Sequence, residues 1–221
     1  AIQARVCGAL QRGDVRAVVM QIDSPGGHVS GLFDCARAIR AESIANGKPL
    51  VSFVDGQACS AAYALAIAAT RIVVSSTAEL GSVGVIATLL DATASDAQQG
   101  LRLELVTSGA RKIDGNPHTP ITDSARRAAQ QNVDLLADMF FQLVSETRPL
   151  TADQVRAMQA GTYIGQLAIE AGLADAIGTL PATIAGATKP VDRVADQRAR
   201  DLLHRAHGRL AAGHVQVRLH P

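Results

Sequence analysis

Gly56-Gln57-Ala58-Cys59-Ser60-Ala61-Ala62-Tyr63-Ala64 stands between an apolar run, Leu50 to Val54, and an alanine-rich stretch that ends near Ala69. The run predicts a buried strand and the alanines predict a helix, so strand hands over to helix at a serine. The first N–H groups of a helix lack intrahelical partners and carry the positive end of its dipole. A hydroxyl at that place has two uses. It can cap the helix, or it can be a nucleophile whose acyl adduct develops an oxyanion beside free amides. The stretch by itself leaves both open for Ser60.

The same plan recurs upstream. Val15 to Ile22 reads as a strand buried on both faces, as central parallel strands are, and it stops at Asp23-Ser24-Pro25-Gly26-Gly27. Proline followed by two glycines makes a tight turn with exposed backbone. Val29, Leu32, Phe33, Ala36 and Ile39 then fall on one helical face, closed by Asn46-Gly47 and Pro49. A third strand, Arg71 to Ser75, follows the alanine helix. Successive βα units imply a parallel sheet with right-handed crossovers. Ligands of such sheets lie at the carboxyl ends of the strands, where Gly26-Gly27 and Ser60 both fall.

Outside this kernel, Ala4 to Gln11 reads as a short helix. Glu79 to Ile86 is a glycine-punctuated turn into an apolar strand, Val85 to Leu90. After a polar segment, Asp91 to Gly100, the alternation of Leu101 to Val106 predicts a half-buried strand. Thr107 to Pro117 is a polar loop. Ala125, Ala129, Val133, Leu136, Phe140 and Leu143 mark one face of a long helix from Thr122 to about Thr147. Thr151-Ala152-Asp153-Gln154 is a capping box. Tyr163-Ile164-Gly165 is a turn into a helix around Ala168, which Gly172 to Asp175 ends.

Composition narrows the function classes. With 48% hydrophobic residues, 3% aromatic and no Trp, the core is built from Ala, Val, Ile and Leu, and a stacking surface for single-stranded nucleic acid is not expected. The net charge of +1 argues against general polyanion binding, so no nucleic-acid partner is predicted. From Lys189 onward seven Lys/Arg oppose three Asp, a local charge of +4 that leaves the remainder near −3. The chain therefore reads as a body, 1–180, and a basic, partly helical tail, 181–221, with Lys189-Pro190 as hinge. The tail's His204, His207, His214 and His220 lack ligand spacing, so no metal site and no cofactor is expected. Cys7, Cys35 and Cys59 have neither metal-ligand spacing nor an even number, and read as reduced thiols of a cytoplasmic protein. No run has the length of a membrane span. The chain opens with Ala in mid-pattern, which suggests a removed upstream segment, and membrane association is expected only if that segment held an anchor.

A nucleophilic serine needs a base, and there is no Gly-x-Ser-x-Gly elbow around Ser60. His28, just past the glycine turn, His118 and Lys112 in the later loop are the candidates that residue type and position leave open. Cys59 is itself a potential nucleophile, though cysteine is commonly a small buried apolar residue.

Four stretches in register then carry a resemblance: Ile22-Asp23-Ser24-Pro25-Gly26-Gly27, Ala58-Cys59-Ser60-Ala61-Ala62-Tyr63, Gly81-Ser82-Val83-Gly84-Val85-Ile86 and Ser108-Gly109-Ala110-Arg111-Lys112. In order and spacing they resemble the S49 family of serine peptidases, over about Ala4 to Leu180. The resemblance implies the α/β fold shared by ClpP and crotonase, a parallel sheet of repeated ββα/βα units flanked by helices, here with a C-terminal helical extension. It also implies a Ser/Lys dyad with Ser60 as nucleophile and Lys112 as general base. Ser82 would hold the lysine amine, and the N–H groups of Gly27 and Ala61 would form the oxyanion hole. A lysine acts as base only when neutral, which requires its removal from water.

Lys112-Ile113-Asp114-Gly115-Asn116-Pro117-His118 and Gly31-Leu32-Phe33-Asp34 resemble the phage branch of the family, the capsid-assembly proteases. The implied substrates are scaffold or capsid polypeptides in the host cytoplasm or procapsid, and the implied assembly is a ring-shaped homo-oligomer in which the lysine can come from a neighbouring subunit. The cellular alternative within the family degrades signal peptides at the membrane. A crotonase-like acyl-CoA enzyme would share the sheet without using the Ser/Lys pair, and an inactive oligomeric scaffold would tolerate loss of Ser60.

Overall fold

A computed structural model describes residues 2–188. In chain order, α1 (Ile2–Gln11) leads to β1 (Val18–Ser24), α2 (Leu32–Ala45), β2 (Leu50–Cys59), α3 (Ala61–Ala66), β3 (Arg71–Val74) and β4 (Glu79–Gly81). An excursion follows with α4 (Thr93–Gln98) and a 3-10 turn, Ala110–Ile113. The chain then runs through α5 (Asp123–Thr147), α6 (Ala152–Ala157), β5 (Thr162–Ile164), α7 (Gln166–Glu170), β6 (Ala176–Ile177) and α8 (Leu180–Gly186). The architecture is α/β, with a six-stranded, mostly parallel sheet.

β2 organises that sheet. Along one edge it pairs in parallel with β1, from Val18 opposite Leu50 to Ser24 opposite Ala58. Along the other edge its first half pairs with β3 and its second half, Gln57 to Cys59, with β4, so the sheet forks about β2. β6 continues outside β3 in parallel, and β5 runs antiparallel outside β4. Successive residues of β2 face opposite layers. Leu50 and Val54 join Ile72 and Val74 in the main core with Phe33, Ile39, Tyr63, Ile67 and Phe140 from the helices. Val51 and Phe53 face the other layer with Val73 and Ala187, and Leu180 of α8 packs there. The folded body thus runs past residue 180. Ser52, fully buried, donates its hydroxyl to the Ala66 carbonyl at 2.9 Å, so its polarity is satisfied.

Beneath α3 lies a buried polar clamp. Arg148, just past α5, makes two hydrogen bonds to the Asp175 carboxylate, at 2.9 and 3.0 Å, with both side chains 5% exposed. Arg148 Nε donates to the Gly172 carbonyl, Asp175 accepts from the Ile72 amide, and the Tyr63 hydroxyl donates to the Leu173 carbonyl. Four pieces of chain, at Tyr63, Ile72, Arg148 and Gly172 to Asp175, are tied together at the helix that follows Ser60.

Several expectations are corrected. The strand expected over Leu50–Val54 continues to Cys59, because β4 supplies a partner for its second half. The alanine helix is shorter than expected and ends in turns through Ala69. Neither Val85–Leu90 nor Leu101–Val106 is a strand: no ladder forms at either among the described residues, and 101–110 are all exposed. The polar segment between them contains α4, and the turn expected at Tyr163 is β5, a strand. The capping box at Thr151 is present with both reciprocal bonds, and Thr122 caps α5. The basic run from Lys189, with its four histidines, lies outside the described residues.

Candidate active site

Pairing sets the site. β2 ends at Cys59, opposite Gly81 of β4, and the Ser60 amide donates to the Gly81 carbonyl at 2.9 Å. That bond brings Ser82 beside Ser60. Both serines have left-handed φ, 52° at Ser60 and 51° at Ser82, a region that side chains other than glycine avoid at a cost of about 1–3 kcal/mol each. Ser60 occupies the cap position of α3, yet its side chain makes no cap bond. The capping reading of Ser60 is therefore corrected: the hydroxyl has no hydrogen-bond partner among the described residues.

The Pro25-Gly26-Gly27 turn closes over this serine. A Cβ at Gly26, φ 124°, would lie 2.8 Å from Ser60 Cβ and 3.0 Å from the Cys59 carbonyl oxygen, so only glycine permits the approach. The turn is held by the Gly26 amide donating to Ser24 Oγ at 3.3 Å, while Asp23 accepts from the Gln57 amide of β2 at 3.0 Å. The sequence flagged this glycine pair, but nothing local distinguished Gly26, which makes the close approach, from Gly27.

Ser60, Ala61, Gly27 and Ser82 line one cleft of about 510 Å3. The amides of Gly27 and Ala61 have no acceptor among the described residues. Val29, Leu32, Phe33, Ile86 and Phe140 supply apolar wall, and His28 also lines it. A second cleft of about 720 Å3 runs along β1 and shares Gly27, His28, Leu32 and Ala61 with the first, so the open groove is continuous past the serine. An uncommitted hydroxyl beside two uncommitted amides, in a cleft that adjoins a second one along β1, is suited to attack on a carbonyl.

The three other candidate residues fall differently. Lys112 sits exposed on the 3-10 turn and is not among the residues lining the cleft of its own chain. Its loop is fastened to α4 instead, through the Ala92 amide on the Pro117 carbonyl and His118 Nδ1 at 2.8 Å from Asp96. His118 lines neither of the two clefts. Cys59 is buried with Sγ directed at the Glu79 carbonyl, 3.8 Å away, and burial, with Glu79 nearby, pushes its thiol pKa up. A thiol held protonated is a packing residue. Among the described residues no group of three or more His, Cys, Asp or Glu is disposed to hold a metal ion, and no helix is long and apolar enough to cross a membrane.

Comparison with known proteins gives the following likenesses. The sequence profile of peptidase family S49 matches residues 42–193. The chain is 39% identical over 175 residues to capsid assembly protease C of Escherichia phage lambda, covering 79% of this chain and 39% of that protein. It is 38% identical over 167 residues to head-tail preconnector protein GP5 of Enterobacteria phage P21, covering 76% of this chain and 33% of that protein. Protease 4 of Salmonella typhi is 27% identical over 176 residues. The chain thus spans 39% and 33% of the lengths of the two phage relatives.

Proposed function

We propose, for a chain that belongs to peptidase family S49, that it is a serine endopeptidase of the ClpP/crotonase fold whose nucleophile is Ser60 and whose general base is Lys112. The observation that carries this reading is the cleft itself: an unbonded Ser60 hydroxyl at the strained end of β2, with the free amides of Gly27 and Ala61 beside it. The lysine amine takes the Ser60 proton as Oγ attacks the peptide carbonyl, and the carbonyl oxygen becomes an oxyanion bonded by the Gly27 and Ala61 N–H groups. The C–N bond breaks as the same proton passes to the leaving amine, leaving an acyl ester on Ser60. Water, deprotonated by the amine, then releases the acid. Ser82 Oγ holds the lysine amine in line.

Because Lys112 stands on an exposed turn outside its own cleft, we read it as serving the cleft of a neighbouring copy in a ring-shaped homo-oligomer. Burial at that junction would strip water from the ammonium and favour the neutral base. The substrate is an extended polypeptide laid along the continuous groove. Likeness to a lambda protein named as a capsid assembly protease favours scaffold or capsid polypeptides over signal peptides.

The test is hydrolysis of a loosely folded protein by the wild type, Ser60→Ala and Lys112→Ala. Each substitution is expected to lower the rate at least about 1,000-fold, in line with losses of other nucleophiles and their bases. Unchanged rates in Ser60→Ala would overturn the reading. Incubation with phage scaffold protein, against a signal peptide, separates the two substrate classes by which is cut.

A further inference from the structure

Leu101-Arg102-Leu103-Glu104-Leu105 has the alternation of a strand and, among the described residues, no strand to join. Leucine stands at every second place, with one cation and one anion between. Leu101, Leu103 and Leu105 are 52%, 50% and 40% exposed. From Arg102 to Ser108 no backbone N–H or C=O bonds to the backbone of any described residue, and no residue from 101 to 106 has a positive φ. Neither Arg102 nor Glu104 takes part in the ion pairs among the described residues. Such a row of unpaired backbone groups is a template for another strand.

We propose that this segment pairs antiparallel with the same segment of a second copy of the chain, about a two-fold axis through Leu103. The register follows from the side chains. Centred on Leu103, the pair sets Leu103 opposite its own copy, Leu101 opposite Leu105, and Arg102 opposite Glu104 in both directions. All the leucines share one face, and both charges of each chain meet an opposite charge. Centring on Arg102 or on Glu104 places that charge against itself, and a parallel in-register pair places Arg on Arg and Glu on Glu. Only the Leu103 register satisfies every position. A ribbon this short is marginal alone. The exposed Ile86 and Leu90 of the same excursion supply apolar surface for its leucine face.

The contact is isologous: it joins copies in pairs and by itself closes no ring. It is read from this segment alone and stands independently of which residue attacks the substrate.

Two experiments test it. In a chain whose Cys7, Cys35 and Cys59 are alanine, Leu103→Cys is expected to form an interchain disulfide on mild oxidation, since directly opposed antiparallel residues lie about 4.5–5.5 Å apart at Cα. Leu101→Cys alone is expected to stay uncrosslinked, its copies being roughly 14 Å apart, while a mixture of Leu101→Cys and Leu105→Cys chains crosslinks. Crosslinking of Leu101→Cys as fast as Leu103→Cys, or none in Leu103→Cys, overturns the register. In the native cysteine background, sedimentation is expected to show Arg102→Glu and Glu104→Arg each raising the dimer dissociation constant about ten-fold, as two like-charge contacts replace two opposite ones. The double variant Arg102→Glu/Glu104→Arg restores complementarity and is expected to return to the wild-type value. A double variant no tighter than the singles overturns the pairing, and circular dichroism confirms that each chain is folded.

Discussion

Ser60 holds a backbone conformation that a serine would not choose, and Gly26 is what makes room for it. Strain at one residue and an obligatory glycine at another are two sides of a single contact, the approach of the Pro25-Gly26-Gly27 turn to the end of β2. Gly26→Ala introduces a Cβ at 2.8 Å from Ser60 Cβ in a region of φ closed to alanine. We expect a loss of about 1–3 kcal/mol in urea unfolding together with a larger effect on kcat than on KM, since what moves is the proposed oxyanion site. Cys59, next in the chain, gives the opposite expectation. Its raised pKa favours the protonated thiol, and that form persists as pH rises until the raised value is reached. Iodoacetamide at neutral pH is therefore expected to leave peptidase activity intact in the native protein, and rapid inactivation mapped to Cys59 would contradict the assignment.

At the scale of elements, the hold on α3 comes from behind. Arg148 and Asp175 join the end of α5 to the segment before β6 while Tyr63 of α3 bonds the Leu173 carbonyl. Removing one member of such a pair leaves an uncompensated buried charge, so Arg148→Met is expected to destabilise by about 3–5 kcal/mol. Arg148→Met/Asp175→Asn keeps an acceptor for the Ile72 amide without the orphan charge, and unfolding midpoints should place it between the single variant and the wild type. The elements readable from sequence were those with local signals: the apolar face of α5, the Thr151-Gln154 box and the apolar face of α2. The second half of β2 was hidden because Asp55-Gly56-Gln57 reads as a turn, and its ladder partner, β4, lies some twenty residues further on. Leu101–Val106 misled in the other direction. Its alternation is real, but a strand is a relation between two segments, and the described residues offer it no partner. Of the candidate residues named from sequence, Gly27, Ser60, Ala61 and Ser82 share one cleft and Lys112 does not line it, whereas the left-handed φ of Ser60 has no signature in residue type.

The described residues form adjoining clefts beside Ser60, and Lys112, the proposed base, stands on an exposed turn outside them. An account that makes Lys112 the base therefore makes activity a property of the assembly. Chains of Ser60→Ala and Lys112→Ala, each inactive alone, are expected to regain hydrolysis when mixed, each cleft combining one intact serine with a neighbour's lysine. Dilution below the assembly concentration should abolish activity in the wild type. The central claim, however, is that Ser60 is the nucleophile, and acylation tests it most directly. The wild-type chain is to be treated with an activated peptide ester and the acyl group located by tandem mass spectrometry. The account predicts a single acyl ester on Ser60 that is absent from Ser60→Ala; equal acylation of Ser60→Ala, or an adduct mapped to another residue, would contradict it.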